Sequence, residues 1–233
     1  MDETADIDRL RKPPPWLRRL AERIGIAGEG AILVLIPVAG AAIAIVFGVD
    51  WLAIIFLLAA LAIALFFRDP ERSPAITEGV VLSGADGRVC DLGEGAPPGY
   101  PDATFRRVSV FMSPLDVHVN RAPVGGEVLT VTHTPGEFRA AYRDIASEHN
   151  ERNLVVIRDA ADRRHAFVQV AGYLARRIVC RVHPRDRVFA GSRIGLIMFG
   201  SRFDHFLPMD YRLTVAVGDR VRAGETVIGE LQQ

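Results

Sequence analysis

Hydrophobic and polar positions divide the chain into two textures that meet near Pro70. From Ala31 to Phe67 nearly every position is apolar, with a break around Gly48-Val49-Asp50. Each half is roughly 17 to 18 residues long, at the short end of what spans a bilayer core of about 30 Å. A buried helical hairpin in a soluble domain would also be apolar, but such length without charge inside either half argues against it. A cleaved signal peptide fits poorly, because a second apolar segment follows and no small-residue cleavage pattern separates the two. The expected element is an N-terminal helical hairpin, transmembrane or re-entrant.

After Pro70 the runs become short and rich in β-branched residues, punctuated by glycine and proline. Gly79 to Leu82, Arg88 to Leu92, Arg107 to Met112, Glu127 to Thr134, Asn153 to Asp159 and Ala166 to Val170 all read as strands. One helix is expected around Glu137 to Glu151. The stretch from Val217 to Gly229 is similar to the hairpin turns of biotinyl-lipoyl-like β folds, with no lysine there to carry biotin or lipoate. The predicted fold class is therefore mainly β, a β-rich domain with lipoyl-like hairpin features and few helices behind an N-terminal helical hairpin. The divisions are a charged amphipathic arm over 1–30, the hairpin over 31–67 and the β-rich domain over 68–233.

Charge refines this picture. Arg18, Arg19 and Arg23 precede the hairpin, Arg68 and Arg72 follow it, and Asp50 marks its centre. The positive-inside rule then puts both ends, and the β-rich domain, on the cytoplasmic side of the cell (inner) membrane. The arm, with Trp16 and its arginines, is suited to an anionic surface. Arg68 and Arg72 would sit at headgroup depth and anchor the hairpin. Over the whole chain 28 basic residues balance 28 acidic ones, so no global field favours nucleic acid. Cys90 and Cys180 lack metal-type spacing and are expected to be half-buried thiols, and the histidines show no zinc signature; no metal is expected.

The candidate chemistry centres on Gly200-Ser201, within Ile197-Met198-Phe199-Gly200-Ser201-Arg202-Phe203-Asp204. An attack of the Ser201 hydroxyl on the Gly200 carbonyl would convert the amide to an ester. Elimination across Ser201 would then break the chain and leave a pyruvoyl group on the new N-terminus. A Gly-Ser pair alone also suits a turn, but the flanking motifs change the reading. Phe66-Phe67-Arg68-Asp69-Pro70-Glu71-Arg72, Ser83-Gly84-Ala85-Asp86-Gly87-Arg88-Val89, Phe111-Met112-Ser113-Pro114-Leu115-Asp116-Val117-His118-Val119-Asn120-Arg121, Asn150-Glu151-Arg152-Asn153 and Phe199-Gly200-Ser201-Arg202 occur in that order. Together they resemble the short bacterial and archaeal branch of the phosphatidylserine decarboxylases.

That resemblance implies a proenzyme that cleaves itself between 200 and 201 into a β chain (1–200) and an α chain (201–233), held as a heterodimer. The pyruvoyl group would form a Schiff base with phosphatidylserine in the membrane and release CO2 and phosphatidylethanolamine. Lys12 is the sole lysine and lies in the charged arm before Pro13-Pro14-Pro15, so pyridoxal phosphate, which needs a lysine, is not expected. The pyruvoyl group derived from Ser201 would be the cofactor. Asp86 matches the family's aspartate of an Asp-His-Ser set, orienting the base, with His118 as general base and acid and Gly200 as the cleavage carbonyl. If residues 116 to 118 form a strand, Asp116 shares a face with His118 and could orient it. Some family members carry a second histidine three residues after the first; here that position is Arg121, which leaves open whether His118 serves both steps. Arg121, Arg139, Arg152 and Arg202 are candidates for holding the anionic substrate. His149 and His165 read as solvated, His183 as a turn residue, and His133 and His205 as packing or surface residues. A homodimer of the mature enzyme stays an open option. The rival classes, a membrane-anchored adaptor on a lipoyl-like domain and a serine hydrolase, would both leave Ser201 intact; neither heptads nor a Gly-x-Ser-x-Gly elbow is present.

Overall fold

In a computed structural model of the chain, residues 15–74, 77–137, 149–172, 177–198 and 201–232 are described. The chain divides into two compact units, Met1–Glu71 and Arg72–Gln233.

The first unit is helical: α1 (Pro15–Arg23), a 3-10 turn (Gly28–Gly30), α2 (Ala31–Val46) and α3 (Asp50–Phe66). Gly48, at φ +71°, reverses the chain between α2 and α3 in a conformation that costs glycine little. The pair packs through small residues: Ala41 and Ala44 of α2 and Ala53 and Ala60 of α3 are buried. The large apolar side chains Ile36, Ile43, Ile54 and Leu58 face outward. This is the reverse of a soluble core, and it suits helices whose surroundings are as apolar as leucine. The helical stretch Gly28–Val46, 19 residues, is long and apolar enough to cross a membrane, and Asp50–Phe66 is slightly shorter. The two ends of the hairpin are tied together, Ala27 N donating to the Phe67 carbonyl and Asp69 N to that of Gly25, each at 2.7 Å.

The second unit is mainly β. Its centre is an eight-stranded antiparallel sheet in the order β13-β2-β3-β11-β7-β6-β5-β9. These strands are β2 (Gly87–Gly95), β3 (Phe105–Met112), β5 (Gly126–Thr134), β6 (Arg152–Arg158), β7 (Arg164–Val170), β9 (Arg187–Val188), β11 (Ser201–Leu207) and β13 (Arg220–Val221). Two three-stranded sheets accompany it: β1 (Val80–Leu82), β14 (Val227–Leu231) and β12 (Tyr211–Leu213) in the order β1-β14-β12, and β4 (Val119–Arg121), β10 (Arg193–Ile197) and β8 (Ile178–Cys180) in the order β4-β10-β8. Their apolar residues, among them Val81, Ile228 and Ile194, join Val110, Phe167, Phe203 and Ile157 of the large sheet in one core. The opposite face of the large sheet carries a smaller cluster of Leu154, Val156, Val168, Val170 and Phe206.

All six strand segments read from the sequence are strands, within one or two residues at most ends. The helix expected at Glu137 to Glu151 falls largely outside the described residues. The stretch from Val217 to Gly229 behaves differently from a simple hairpin: β13 pairs with β2, and β14 pairs with β1 and β12. Its two strands go to different sheets.

Candidate active site

Ser201 is the first residue of β11, which lies between β3 and β7 with all seven positions buried. Strand alternation puts Ser201, Phe203, His205 and Leu207 on one face and Arg202, Asp204 and Phe206 on the other. Ser201 is directly opposite Met112 of β3, and its hydroxyl donates to the Met112 Sδ at 3.4 Å. Gly200, the expected cleavage carbonyl, lies outside the described residues.

His118 is held just before β4, at the end of a turn rather than within a strand. Ser113 N and Oγ both donate to Asp116 Oδ2, at 2.9 and 2.6 Å, so that carboxylate oxygen closes the turn. What orients His118 is the Asp116 backbone carbonyl, which accepts from Nδ1 at 2.9 Å. In the neutral ring this leaves the lone pair on Nε2, the nitrogen a general base needs. The imidazole is buried. Ile197 N donates to the His118 carbonyl at 3.3 Å, which ties His118 to the strand end four residues before Ser201.

Asp86 sits in the turn before β2. Its Oδ2 accepts from Arg72 at 2.9 Å and its Oδ1 from Ala223 N at 2.8 Å; no hydrogen bond or ion pair joins it to His118 among the described residues. Burial pushes its carboxyl above the usual range, opposed by the Ala223 amide and Arg72. The turn itself is pinned at Gly84. Its N–H donates to His205 Nε2 at 2.7 Å, and its carbonyl accepts from Arg121 N at 2.9 Å. The Asp86 turn is thus bonded both to the strand of Ser201 and to the strand that follows His118.

The sequence pattern of the Phosphatidylserine decarboxylase family matches residues 59–229. A phosphatidylserine decarboxylase proenzyme of Mycolicibacterium smegmatis is 50% identical over 184 residues, covering 78% of this chain and 79% of that protein. The proteins of the same name from Mycolicibacterium vanbaalenii and Desulfotalea psychrophila are 46% and 43% identical, covering 84% and 77% of this chain and 87% and 84% of their own lengths. The chain belongs to the phosphatidylserine decarboxylase family.

Against that family background the candidate arginines divide. Arg202 is buried on the face of β11 away from Ser201, with Nε 2.6 Å from Asp204 Oδ1. Arg121 is buried and donates to the Gly191 carbonyl at 2.9 Å. Arg152, half-buried on β6, shares a row across the sheet with Val170 and Arg202, so it too lies on the far face. Arg139 lies outside the described residues. Arg72, read from sequence as a hairpin anchor, is instead paired with Asp86 and Glu225 at 2.9 and 3.0 Å, its side chain almost enclosed. An arginine next to an apolar segment looks the same in sequence whether it meets headgroups or carboxylates folded back from far along the chain.

The histidines of this decarboxylase-family chain sort by environment. His165 is buried, its ring edge-on to Tyr211 at 5.3 Å and its Nε2 3.3 Å from Asp159, which corrects its reading as solvated. Its charged neighbours Arg163 and Arg164 mislead: alternation sends His165 inward from the exposed Arg164, while Arg163 folds over the same Tyr211 ring and pairs with Asp159. His183 and His133 are exposed. Cys90 and Cys180 are free, half-buried thiols whose pKa burial raises. Among the described residues no cluster of His, Cys, Asp and Glu could hold a metal ion. Sequence reasoning gave no role to Gln169, Asn120 and Asn153, which form a buried chain of amides leading to Met112. The signal available for it was a polar residue at the inward position of an otherwise apolar strand, Phe167-Val168-Gln169-Val170.

Proposed function

We propose that this protein is a membrane-associated decarboxylase that converts phosphatidylserine to phosphatidylethanolamine and CO2, using a pyruvoyl group made from its own Ser201. The observation that carries the reading is Ser201 itself: a serine following glycine, fully buried at the head of a central strand, in a chain of this family whose lone lysine is in the N-terminal arm. A lasting serine nucleophile would need access to substrate at a strained elbow. A residue that first reacts with its own backbone needs neither.

In the self-cleavage, Oγ of Ser201 adds to the Gly200 carbonyl, the amide C–N bond breaks, and the proton passes to the nitrogen of residue 201, leaving an ester. Loss of the residue 201 Cα proton then expels the Gly200 carboxylate, and water releases ammonia to give the pyruvoyl end. His118 Nε2 is the proton carrier of this reading, with its tautomer fixed by the Asp116 carbonyl. Asp86 is kept as the acidic member of the set, its carboxylate held by Arg72 and the Ala223 amide and not by His118. The site fits the group: Ser201 is enclosed on a rigid strand, and the neighbouring Met112, Val110 and Phe203 keep the surroundings apolar. Once formed, the keto amide supplies an electron sink for the pair left by departing CO2, the role pyridoxal phosphate serves elsewhere. His118 then returns a proton to the substrate carbon. Of the arginines, Arg139 is retained to hold the carboxylate or phosphate, and Arg121 to hold the turns around the site. Arg152 and Arg202 serve the far face of the sheet.

The outward-facing apolar side chains of α2 and α3 support association with the inner membrane, where an insoluble lipid is met by diffusion in two dimensions. The arginines before and after the hairpin support a cytoplasmic orientation. Intact-mass analysis of the purified protein, beside a Ser201→Ala control, tests the reading. Two fragments, one ending at Gly200 and one blocked at residue 201, with turnover of phosphatidylserine in vesicles, are expected. A single unbroken wild-type chain would overturn it.

A further inference from the structure

Three buried amide side chains lie in a line that ends on a sulfur, which also accepts a buried hydroxyl. Asn153 Nδ2 donates to Gln169 Oε1 at 3.0 Å, and Gln169 Nε2 donates to Asn120 Oδ1 at 2.9 Å. Asn120 Nδ2 then donates to Met112 Sδ at 3.7 Å, and the same sulfur accepts the Ser201 hydroxyl at 3.4 Å. Each of these five residues is at most 2% exposed. The line touches five strands in two sheets: β6 and β7 of the large sheet, β4 of a small one, and back to β3 and β11 of the large sheet.

The direction of the donors matters. Every amide gives its N–H toward Met112, so the order in which the three amides are satisfied is fixed by the first. A thioether can only accept, and methionine is an unbranched side chain with three rotatable bonds. Left to apolar packing, its sulfur could settle in several places. Two donors arriving from different strands hold it in one, and a hydroxyl bound to a fixed sulfur has one favoured rotamer out of three. Burying three amides where apolar residues would pack needs full mutual hydrogen bonding to be tolerated. Here each amide nitrogen donates within the chain and the oxygens of Gln169 and Asn120 accept within it, and the product is a defined orientation of Ser201.

We propose that the Asn153–Gln169–Asn120 chain, acting through Met112, positions the Ser201 hydroxyl for its attack on the Gly200 carbonyl. This rests on the self-cleavage reading above. Asn120, Gln169 and Asn153 are positioning residues in it, since none of them touches the hydroxyl.

The test follows cleavage of newly synthesised full-length chain by intact mass, in the wild type and in the Met112→Leu and Asn120→Asp variants. Leucine keeps the volume and removes the acceptor. Aspartate keeps the oxygen that Gln169 binds and removes the donor to sulfur. Each variant is expected to cleave about three- to tenfold more slowly, the cost of releasing one rotamer and blurring the attack geometry. Met112→Leu should keep a Tm within a few degrees of the wild type, whereas Asn120→Asp, which buries a carboxylate, should lower it, so the Met112→Leu rate carries the test. Hydroxylamine, which cuts esters far faster than amides, supplies a second readout. If positioning acts on the first step, the variants hold less ester, and the hydroxylamine-released fraction falls with the rate. Should Met112→Leu prove insoluble, biosynthetic replacement of methionine by norleucine removes the sulfur at constant shape and reads the same quantity. Wild-type cleavage rates in these chains, or rates that fall only in proportion to Tm, would overturn the proposal. A wild type that never cleaves is a distinct result: it overturns the self-cleavage reading and this inference with it.

Discussion

His205 accepts a 2.7 Å hydrogen bond from the Gly84 amide at Nε2 and donates from Nδ1 to the Val108 carbonyl at 3.0 Å, so its ring is locked as a neutral tautomer. Burial lowers its pKa to about 4, against the opposing pull of the Val108 carbonyl and Asp204. The unfolded imidazole takes up a proton below about pH 6.5, whereas the folded one resists until near 4. Its contribution is therefore complete above pH 6.5 and lost as pH falls toward 4, by roughly 3 kcal/mol at the lower end. His165, lowered by burial, acts in the same sense, and Asp86, raised by burial, in the opposite one. Urea midpoints at pH 7 and pH 5 should differ clearly in the wild type and less in His205→Gln. Equal slopes in the two proteins would refute the assignment.

His118→Gln removes the proposed proton carrier while keeping a polar side chain of similar reach. The full-length chain is expected to remain mostly uncut, and any cut fraction to decarboxylate about 10²- to 10⁴-fold more slowly. Mass analysis and lipid turnover on the same sample separate the two steps. Normal cleavage with lost turnover would assign His118 to decarboxylation alone.

The Arg202–Asp204 pair is enclosed in the sheet face opposite Ser201. Asp204→Asn should destabilise the fold by about 3–5 kcal/mol, because a buried guanidinium loses the charge that compensates it. The double change Arg202→Met with Asp204→Leu should cost much less than the sum of the single changes. Additive losses in a denaturation cycle would show that the pair is not coupled.

Gly195 lies in β10 against β8, and a Cβ there would land on the Val179 carbonyl oxygen, with Gln169 Nε2 close by at 3.2 Å. Gly195→Ala must push the two strands apart, at a cost of about 1–3 kcal/mol. Its Tm should fall and its cleavage slow together, since β10 also tethers His118. A Tm equal to the wild type would contradict the close approach.

Ile43 points outward from α2. Ile43→Arg should weaken membrane insertion by about 2.5–3.5 kcal/mol if lipid surrounds that position, seen as a shift from pelleted to soluble protein after alkaline extraction. Unchanged extraction would argue that the hairpin packs on protein.

The β-rich texture and the apolar hairpin were legible because each follows from a local period: alternation for Arg107 to Met112, an unbroken apolar run for Ala31 to Phe67. The family was legible through the order of its motifs. The partners of Asp86 were not, since Arg72 and Ala223 come from opposite ends of the second unit. Asp116 misled for a related reason: its spacing from His118 suits a strand, yet its carboxylate is consumed by Ser113 and its carbonyl does the orienting. The inward arginine at 202 could not be told from a solvated one, because both faces of β11 are buried and alternation then carries no polarity signal.

The position of β11 has a consequence for what a break before Ser201 would do. The piece from Ser201 onward supplies a central strand of the large sheet, the edge strand β13, and two strands of a separate sheet. None of these finds its partners within its own piece except β12 with β14. Such a cut would break no described ladder, and would leave two polypeptides threaded through each other like the halves of a split-protein reporter. Neither half could be traded between molecules without unfolding, so each molecule would keep for life the prosthetic group it had made.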